Sequence, residues 1–135
     1  MIFEKKQKIA QYTVTLPHKQ GAYAETYRVI DEKGKTLFLK LISFAQLSAY
    51  QFNSDGKIIE VEVASSLSHS NLCGFVDAGT LIHSGQQFAY IVTDFISGET
   101  VAQKMGREET LTVYEAKQIA KCVLSALDFL HSQER

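Results

Sequence analysis

The sequence has almost no surplus of charge of either sign: fourteen Lys and Arg stand against fifteen Asp and Glu, a net charge of −1 over 135 residues. Nucleic-acid binding by phosphate neutralisation needs basic residues gathered on one face, and here they are interspersed with acids, so that class is set aside. Cysteine is scarce. Cys73 and Cys122 fall within apolar patterns on different elements, have no partners at metal-ligand spacing, and read as reduced core thiols. The histidines His18, His69, His83 and His131 are scattered, which leaves no ligand cluster for a metal site. No apolar run reaches the length of a membrane span, and the Lys-rich start, residues 1–10, is not followed by the apolar stretch of a signal peptide. There is no internal repeat and no low-complexity tract. These absences point to a cytoplasmic protein with neither a membrane nor a nucleic acid among its partners.

What is present is enough apolar content, 45%, to build the core of one compact domain, or of one and a fraction. Tyr12–Leu16 alternates as a strand, residues 18–21 break it, and Thr26–Ile30 resumes the extended pattern. Asp31-Glu32-Lys33-Gly34-Lys35 reads as a hairpin turn, with Gly34 supplying the left-handed conformation. The run Leu37-Phe38-Leu39-Lys40-Leu41-Ile42 is the next strand, and these three make an antiparallel meander. Residues 44–52 are weakly helical, and Asn53-Ser54-Asp55-Gly56 is a breaker and helix start. A helix over residues 58–67, strands over 72–81 and 88–95, a short helix over 99–105 and a long one over 112–131 follow. In the last, Val113, Ala116, Ile119, Ala120, Val123, Leu124, Leu127 and Leu130 form one apolar stripe, and Thr112 with Glu115 has the spacing of a capping box.

Two charges stand where folding drives side chains inward. Lys40 interrupts a strand that is apolar on both sides; it shares a face with Phe38 and Ile42, while Leu37, Leu39 and Leu41 point the other way. On a helical wheel centred on Glu60, Val63 lies at about −60°, Ala64 at about +40° and Leu67 at about −20°, whereas Glu62 lies at about 200° and faces water. Glu60 therefore belongs to the buried stripe. A lone buried charge costs several kcal/mol, so the expectation is that Lys40 and Glu60 pair.

The order of these parts resembles the small lobe of the eukaryotic-type protein kinase family. Leu37-Phe38-Leu39-Lys40 resembles its V-A-I-K strand, and Glu60 resembles the paired glutamate of the following helix. Leu67-Ser68-His69-Ser70-Asn71-Leu72 resembles the L-x-H-P-N-I turn after that helix. Residues 90–98 resemble the fifth strand, gatekeeper and hinge, and Leu127-Asp128-Phe129-Leu130-His131-Ser132 resembles the Y-L-H-S end of helix E. The resemblance runs from about Tyr12 to Arg135. It implies an α+β fold: a five-stranded antiparallel sheet with one packed helix, then two helices of an incomplete large lobe. The corresponding division is an N-terminal extension over 1–11, an ATP-binding small lobe over 12–96, and a hinge exit with the first large-lobe helices over 97–135.

Residue roles follow from the same resemblance. Lys40 would contact the α- and β-phosphates of ATP and Glu60 would hold its ammonium in place. The carbonyl of Asp94 and the amide of Ile96 would meet the adenine edge, with Thr93 as gatekeeper, and Phe75 would stack on Ala64 behind the ion pair. The glycine-rich loop aligns as Lys19-Gln20-Gly21-Ala22-Tyr23-Ala24, which keeps only the middle glycine of G-x-G-x-x-G; Gly21 and Ala22 would approach phosphate, with Lys19 compensating by charge. Phe38 stands where the family has a small Ala under the adenine, and Thr26 where it has Val; a phenyl ring there either stacks on the base or blocks it. His69 reads as a helix-end packing residue and Glu99 as a solvated helix-start acid.

The H-R-D-x-x-x-x-N loop and the D-F-G segment of the family are absent from a sequence that stops at Gln133-Glu134-Arg135, so neither a catalytic base nor a metal ligand is expected within it. The implied function is the ATP-binding part of a serine/threonine kinase, with ATP, Mg²⁺ and a protein substrate engaged by the intact parent and this stretch inactive alone. The alternatives are a pseudokinase or regulatory interaction module with weak or no nucleotide binding, and a small-molecule kinase of related fold. The stripe of the last helix would need cover by dimerisation, by folding back, or would stay exposed.

Overall fold

In the computed structural model, residues 1–108 and 110–133 are described; Glu109 and the closing Glu134 and Arg135 of the family-like span lie outside them. The chain forms two units, residues 1–67 with 74–95, and residues 68–73 with 96–135. The first holds an antiparallel sheet of six strands among the described residues: β1 (Lys8–Ile9), β2 (Tyr12–Gln20), β3 (Ala24–Ile30), β4 (Thr36–Ser43), β5 (Phe75–His83) and β6 (Gln86–Asp94), in spatial order β1-β2-β3-β4-β6-β5. The sixth strand, absent from the sequence reading, is β1. It pairs Lys8 with Thr13 and Ile9 with Tyr12, and Ile9 and Phe3 are buried in the core beneath.

Alternation on β4 decides the layers. Leu37, Leu39 and Leu41 enter a cluster with Val14, Tyr27, Val29, Phe88, Tyr90 and Val92, while Ile42 turns to the opposite face and joins Ile58, Ala89 and Ile91. Helix α1 (Ile59–Ser66) lays Val61 and Ala64 on that second cluster. Both faces of the strand are thus covered, as an apolar run interrupted by one Lys requires. Phe75 and Ala64, expected to stack, both pack against this second cluster.

Two hairpins depend on left-handed backbone. Gly34 has φ +83°, and Asp31 Oδ1 accepts from the amides of Lys33 and Lys35, which closes the turn read from sequence. Between β5 and β6, Ser84 and Gly85 have φ +51° and +76°, the mirror-image turn whose twist matches the strands it joins.

Three local expectations are corrected. β2 does not stop at Leu16 but continues to Gln20, because register shifts on both sides of Pro17 absorb the missing amide without ending the pairing with β3. Asn53-Ser54-Asp55-Gly56 is a turn, with Asn53 Oδ1 accepting from Asp55 and Lys57, but it does not cap α1. The helix starts at Ile59 after an uncapped Ile58, which is itself buried and bridged to Phe52. Residues 44–52 form two short 3-10 turns, Phe44–Gln46 and Ala49–Gln51.

The second unit contains α2 (Val101–Glu108) and α3 (Val113–His131). Thr112 caps α3 as its spacing implies: Thr112 Oγ1 accepts from Glu115 N–H at 3.1 Å and Glu115 Oε1 accepts from Thr112 N–H at 3.0 Å. Within this unit the sheltered line of α3 runs through Glu115, Ile119, Ala126, Phe129 and Leu130, about a quarter turn from the apolar stripe. Leu124 is accordingly 64% exposed, and Val113, Val123 and Leu127 are exposed with it. Cys73 and Cys122 are free and exposed, contrary to the core reading. Cys73 falls in the turn before β5, which begins at Phe75 and not at Leu72, and α3 buries too little to cover Cys122. No helix among the described residues is long and apolar enough to cross a membrane.

Candidate functional site

Lys40 projects from the middle of β4, directly opposite Thr26 on β3 and Ile91 on β6. Its Nζ donates to Glu60 Oε2 at 2.5 Å. The side chains are 33% and 38% exposed, so water screens the pair and its value is positional rather than a large share of stability. Glu60 sits in the first turn of α1, where unpaired backbone amides favour an acid. Because that helix start is anchored by the burial of Ile58, the carboxylate has a defined place to stand.

The loop between β2 and β3 closes over the same face. Gly21 N–H donates to Ala24 O at 2.8 Å, a Cβ on Gly21 would meet that carbonyl at 3.3 Å, and Ser43 N–H donates to Tyr23 O at 3.0 Å. The Gly21 amide is therefore engaged within the turn. Tyr23 brings its ring to 5.5 Å from Lys40 Nζ, within cation–π range. A cavity of about 210 Å³ is lined by Lys19, Gly21, Ala22, Tyr23, Ala24, Thr26 and Lys40. It has two lysines and a glycine turn at its walls, the setting in which an anionic group is favoured. A larger hollow of about 460 Å³ lies along α1, walled by Leu47, Tyr50, Ile59, Val63 and Ala64 with Glu60 and Tyr23 at its edge. Its lining is mostly apolar and its one charge is acidic, so phosphate suits the smaller cavity.

Phe38 shares the Lys40 face, flanked by Arg28 on β3 and Thr93 on β6. The His18 ring meets it at 5.2 Å between centroids with planes at 74°, and the Arg28 guanidinium stands 4.6 Å from the Phe95 ring. Asp94 has an exposed side chain, and its N–H donates to Gly74 O at 2.9 Å. Of the residues singled out from sequence, the first unit brings Lys40, Glu60, Gly21, Ala22, Thr26, Phe38, Thr93 and Asp94 onto or beside one sheet. Ile96 belongs to the second unit. There His69 accepts from Asn71 N–H through Nδ1, lies 3.3 Å from Ser125 Oγ through Nε2, and packs on Phe129, which is the helix-end role read for it.

Sequence reading passed over Tyr23 and His18. Tyr23 is the only aromatic of the glycine turn, a signal that was available; His18 was hidden by the assumption that the strand ended before it. It also passed over Glu25, a residue only 8% exposed whose carboxylate accepts from Tyr27 Oη and from Ile2 N–H, tying residues 1–3 to β3. Burial and the hydrogen bond to Glu25 push the Tyr27 phenol up, and burial with the bond to Asp77 does the same for Tyr12. Among the described residues no three His, Cys, Asp or Glu are grouped to hold a metal ion.

A curled antiparallel sheet carrying a lysine held by a carboxylate from the adjoining helix, beside a glycine turn, defines the small lobe of a kinase-like fold. The chain belongs to the protein kinase domain family, whose model matches residues 19–134. It is 32% identical over 126 residues to the "Probable serine/threonine-protein kinase PknB" of Lactococcus lactis, covering 82% of this chain and 20% of that protein. It is 22% identical over 113 residues to the serine/threonine-protein kinase PLK1 of Xenopus laevis, covering 84% of this chain and 18% of the relative. The crystal structure of the Mycobacterium tuberculosis PknI kinase domain superposes with a TM-score of 0.72 at 28% identity, over 97% of this chain and 53% of that one. The chain thus spans about a fifth of the curated relatives it matches and about half of the solved kinase domain.

Proposed function

We propose that this chain is the nucleotide-binding portion of a serine/threonine protein kinase, with residues 12–96 as its small lobe and residues 97–135 as the hinge exit and first helices of the large lobe. Lys40 binds the α- and β-phosphates of ATP and Glu60 fixes its ammonium; Lys19, Gly21, Ala22 and Thr26 border the phosphates. Thr93 and the Asp94 carbonyl serve the base. The observation that carries this reading is the Lys40–Glu60 pair opening on a cavity with a second lysine and a glycine turn. A compact ammonium on a strand, oriented by a carboxylate, is the arrangement that positions phosphates for transfer.

In a protein containing this chain, the reaction is γ-phosphoryl transfer to a protein hydroxyl. This sequence has no H-R-D or D-F-G run, and no residue of it is assigned as catalytic base or Mg²⁺ ligand. Mg²⁺, when bound with the nucleotide, would supply charge neutralisation to its phosphates.

The test is calorimetric titration of Mg-ATP into the chain and into Lys40→Met. The parent is expected to bind and the variant to lose at least tenfold in affinity while remaining folded, since a screened pair contributes about 0–1 kcal/mol to stability. Equal affinities would remove Lys40 from the site. A second reading, a regulatory module without nucleotide, is favoured by the Gly21 amide being occupied by Ala24. No binding by the parent would select it.

A further inference from the structure

Among the described residues Glu25 is the one charged residue that is buried, and a carboxylate stays buried only where donors hold it. Tyr27 Oη donates to its Oε1, Ile2 N–H donates to the same oxygen at 3.0 Å, and the Met1 nitrogen stands 3.8 Å from Oε2. Tyr27 Oη in turn accepts from Phe3 N–H at 3.1 Å, and the buried Phe3 ring lies against the rings of Tyr27 and His83. Two successive amides and one aromatic ring thus strap residues 1–3 to the sheet. The strap reaches the glycine turn. Glu25 directly follows Ala24 and sits beside Leu41 on one face of the sheet, while the next residue, Thr26, sits beside Lys40 on the other. On the Glu25 face a cavity of about 190 Å³ is shared by Ile2 and Glu25 with Gln20, Gly21 and Ala24 of the turn. Gly21 and Ala24 also line the Lys40 cavity, so the turn is the partition between the two.

We infer that residues 1–3 form a strap that fixes the glycine turn from the face away from Lys40, and that Glu25, which joins strap to turn, is a positioning residue of the phosphate site. The inference rests on the nucleotide reading above and goes beyond it by giving the first residues of the chain a part in that site. Within the turn, Gly21 N–H is engaged by Ala24 O, and Tyr23 O by Ser43 N–H. Those bonds close the turn on itself and on β4; Glu25, the second residue of β3, ties it to a third segment. A turn held in place before the ligand arrives loses less freedom on binding. With Glu25 released, the start of β3 is no longer held by the strap, and Thr26 on the wall of the Lys40 cavity moves with it.

The experiment measures two quantities in the full chain, in Glu25→Ala and in Glu25→Gln: hydrogen exchange of the Gly21 amide by NMR without nucleotide, and Mg-ATP affinity by calorimetry. The Gly34 amide, bonded to Asp31 O at 3.0 Å in the hairpin at the other end of β3, is the internal reference for general loosening. Glu25→Ala is expected to speed exchange at Gly21 by about tenfold with Gly34 unchanged, and to weaken Mg-ATP by about three- to tenfold. Glu25→Gln, which keeps a carbonyl acceptor for Ile2 N–H and Tyr27 Oη, is expected to restore most of both. If Glu25→Ala does not fold, Phe3→Leu, which loosens the strap and leaves Glu25 in place, is expected to show the same two changes. Unchanged exchange at Gly21, or equal acceleration at Gly21 and Gly34, overturns the strap. Faster exchange at Gly21 with Mg-ATP affinity unchanged overturns the positioning role and leaves the Lys40 site standing. A parent that binds no Mg-ATP overturns the nucleotide reading, while acceleration confined to Gly21 then still upholds the strap as the support of the turn.

Discussion

Tyr90 lies across Gly79: a Cβ added at that glycine would stand 2.5 Å from the phenol oxygen, 2.7 Å from Cζ and 3.0 Å from Cε1. The two are register partners on β5 and β6, and Tyr90 is buried against Tyr12 and the main core. At Gly74 the corresponding atom is Asp94 Oδ2, but that carboxylate is at the surface, held only by an exposed ion pair to Lys35 at 4.0 Å, and can give way. Gly79→Ala should therefore destabilise the protein by about 1–3 kcal/mol, because a packed ring has nowhere to go. Gly74→Ala should cost less than about 0.5 kcal/mol. Urea denaturation measures both, and equal losses would refute the steric account.

Alkaline pH should unfold the first unit. The phenols of Tyr12, Tyr27 and Tyr90 are raised above their ordinary value, chiefly by burial, with Asp77 adding to it at Tyr12 and Tyr90 and Glu25 at Tyr27. An acid whose folded pKa exceeds its unfolded value contributes stability that is present below the unfolded pKa, about 10, and is lost as pH rises beyond it. The urea midpoint should fall steadily above about pH 10, with phenolate absorbance from these three rings appearing together with unfolding. A midpoint constant to about pH 11 would contradict this.

Helix α3 should lose its first turn in acid. The bond from the Lys104 ammonium, followed by those from Thr112, holds the Glu115 carboxyl at about 2. Its contribution is present above the usual value near 4.5 and fades as pH falls toward about 2. Thr112→Ala should reduce stability by about 1 kcal/mol at neutral pH, read as lost helical circular dichroism on heating. Glu115→Gln keeps an acceptor for the cap but no charge, and should flatten the acid response. A variant that melted with the parent's pH profile would exclude the Lys104 bond as the cause.

Much of the fold is legible in the sequence because period carries burial. Alternation placed Lys40 opposite Leu39 and Leu41, the 100° wheel chose Glu60 over Glu62, and the turn chemistry of Asp31 and Gly34 and the cap of Thr112 are local rules that the fold obeys. The same rules misplaced the thiols and the end of β2, where bulges around Pro17 and the thin cover over α3 depend on neighbours distant in sequence.

By itself the sequence determined the order of the elements from β2 onward, the faces of the central strand, and which acid and which lysine pair, since each is set by residues a few positions apart. Only the tertiary structure decided that Lys8–Ile9 add a strand to the sheet, that the Tyr23 ring lies 5.5 Å from Lys40 Nζ, and that the His18 ring meets Phe38. Those contacts join segments whose approach is governed by strand register and the closing of the sheet. No local pattern encodes either.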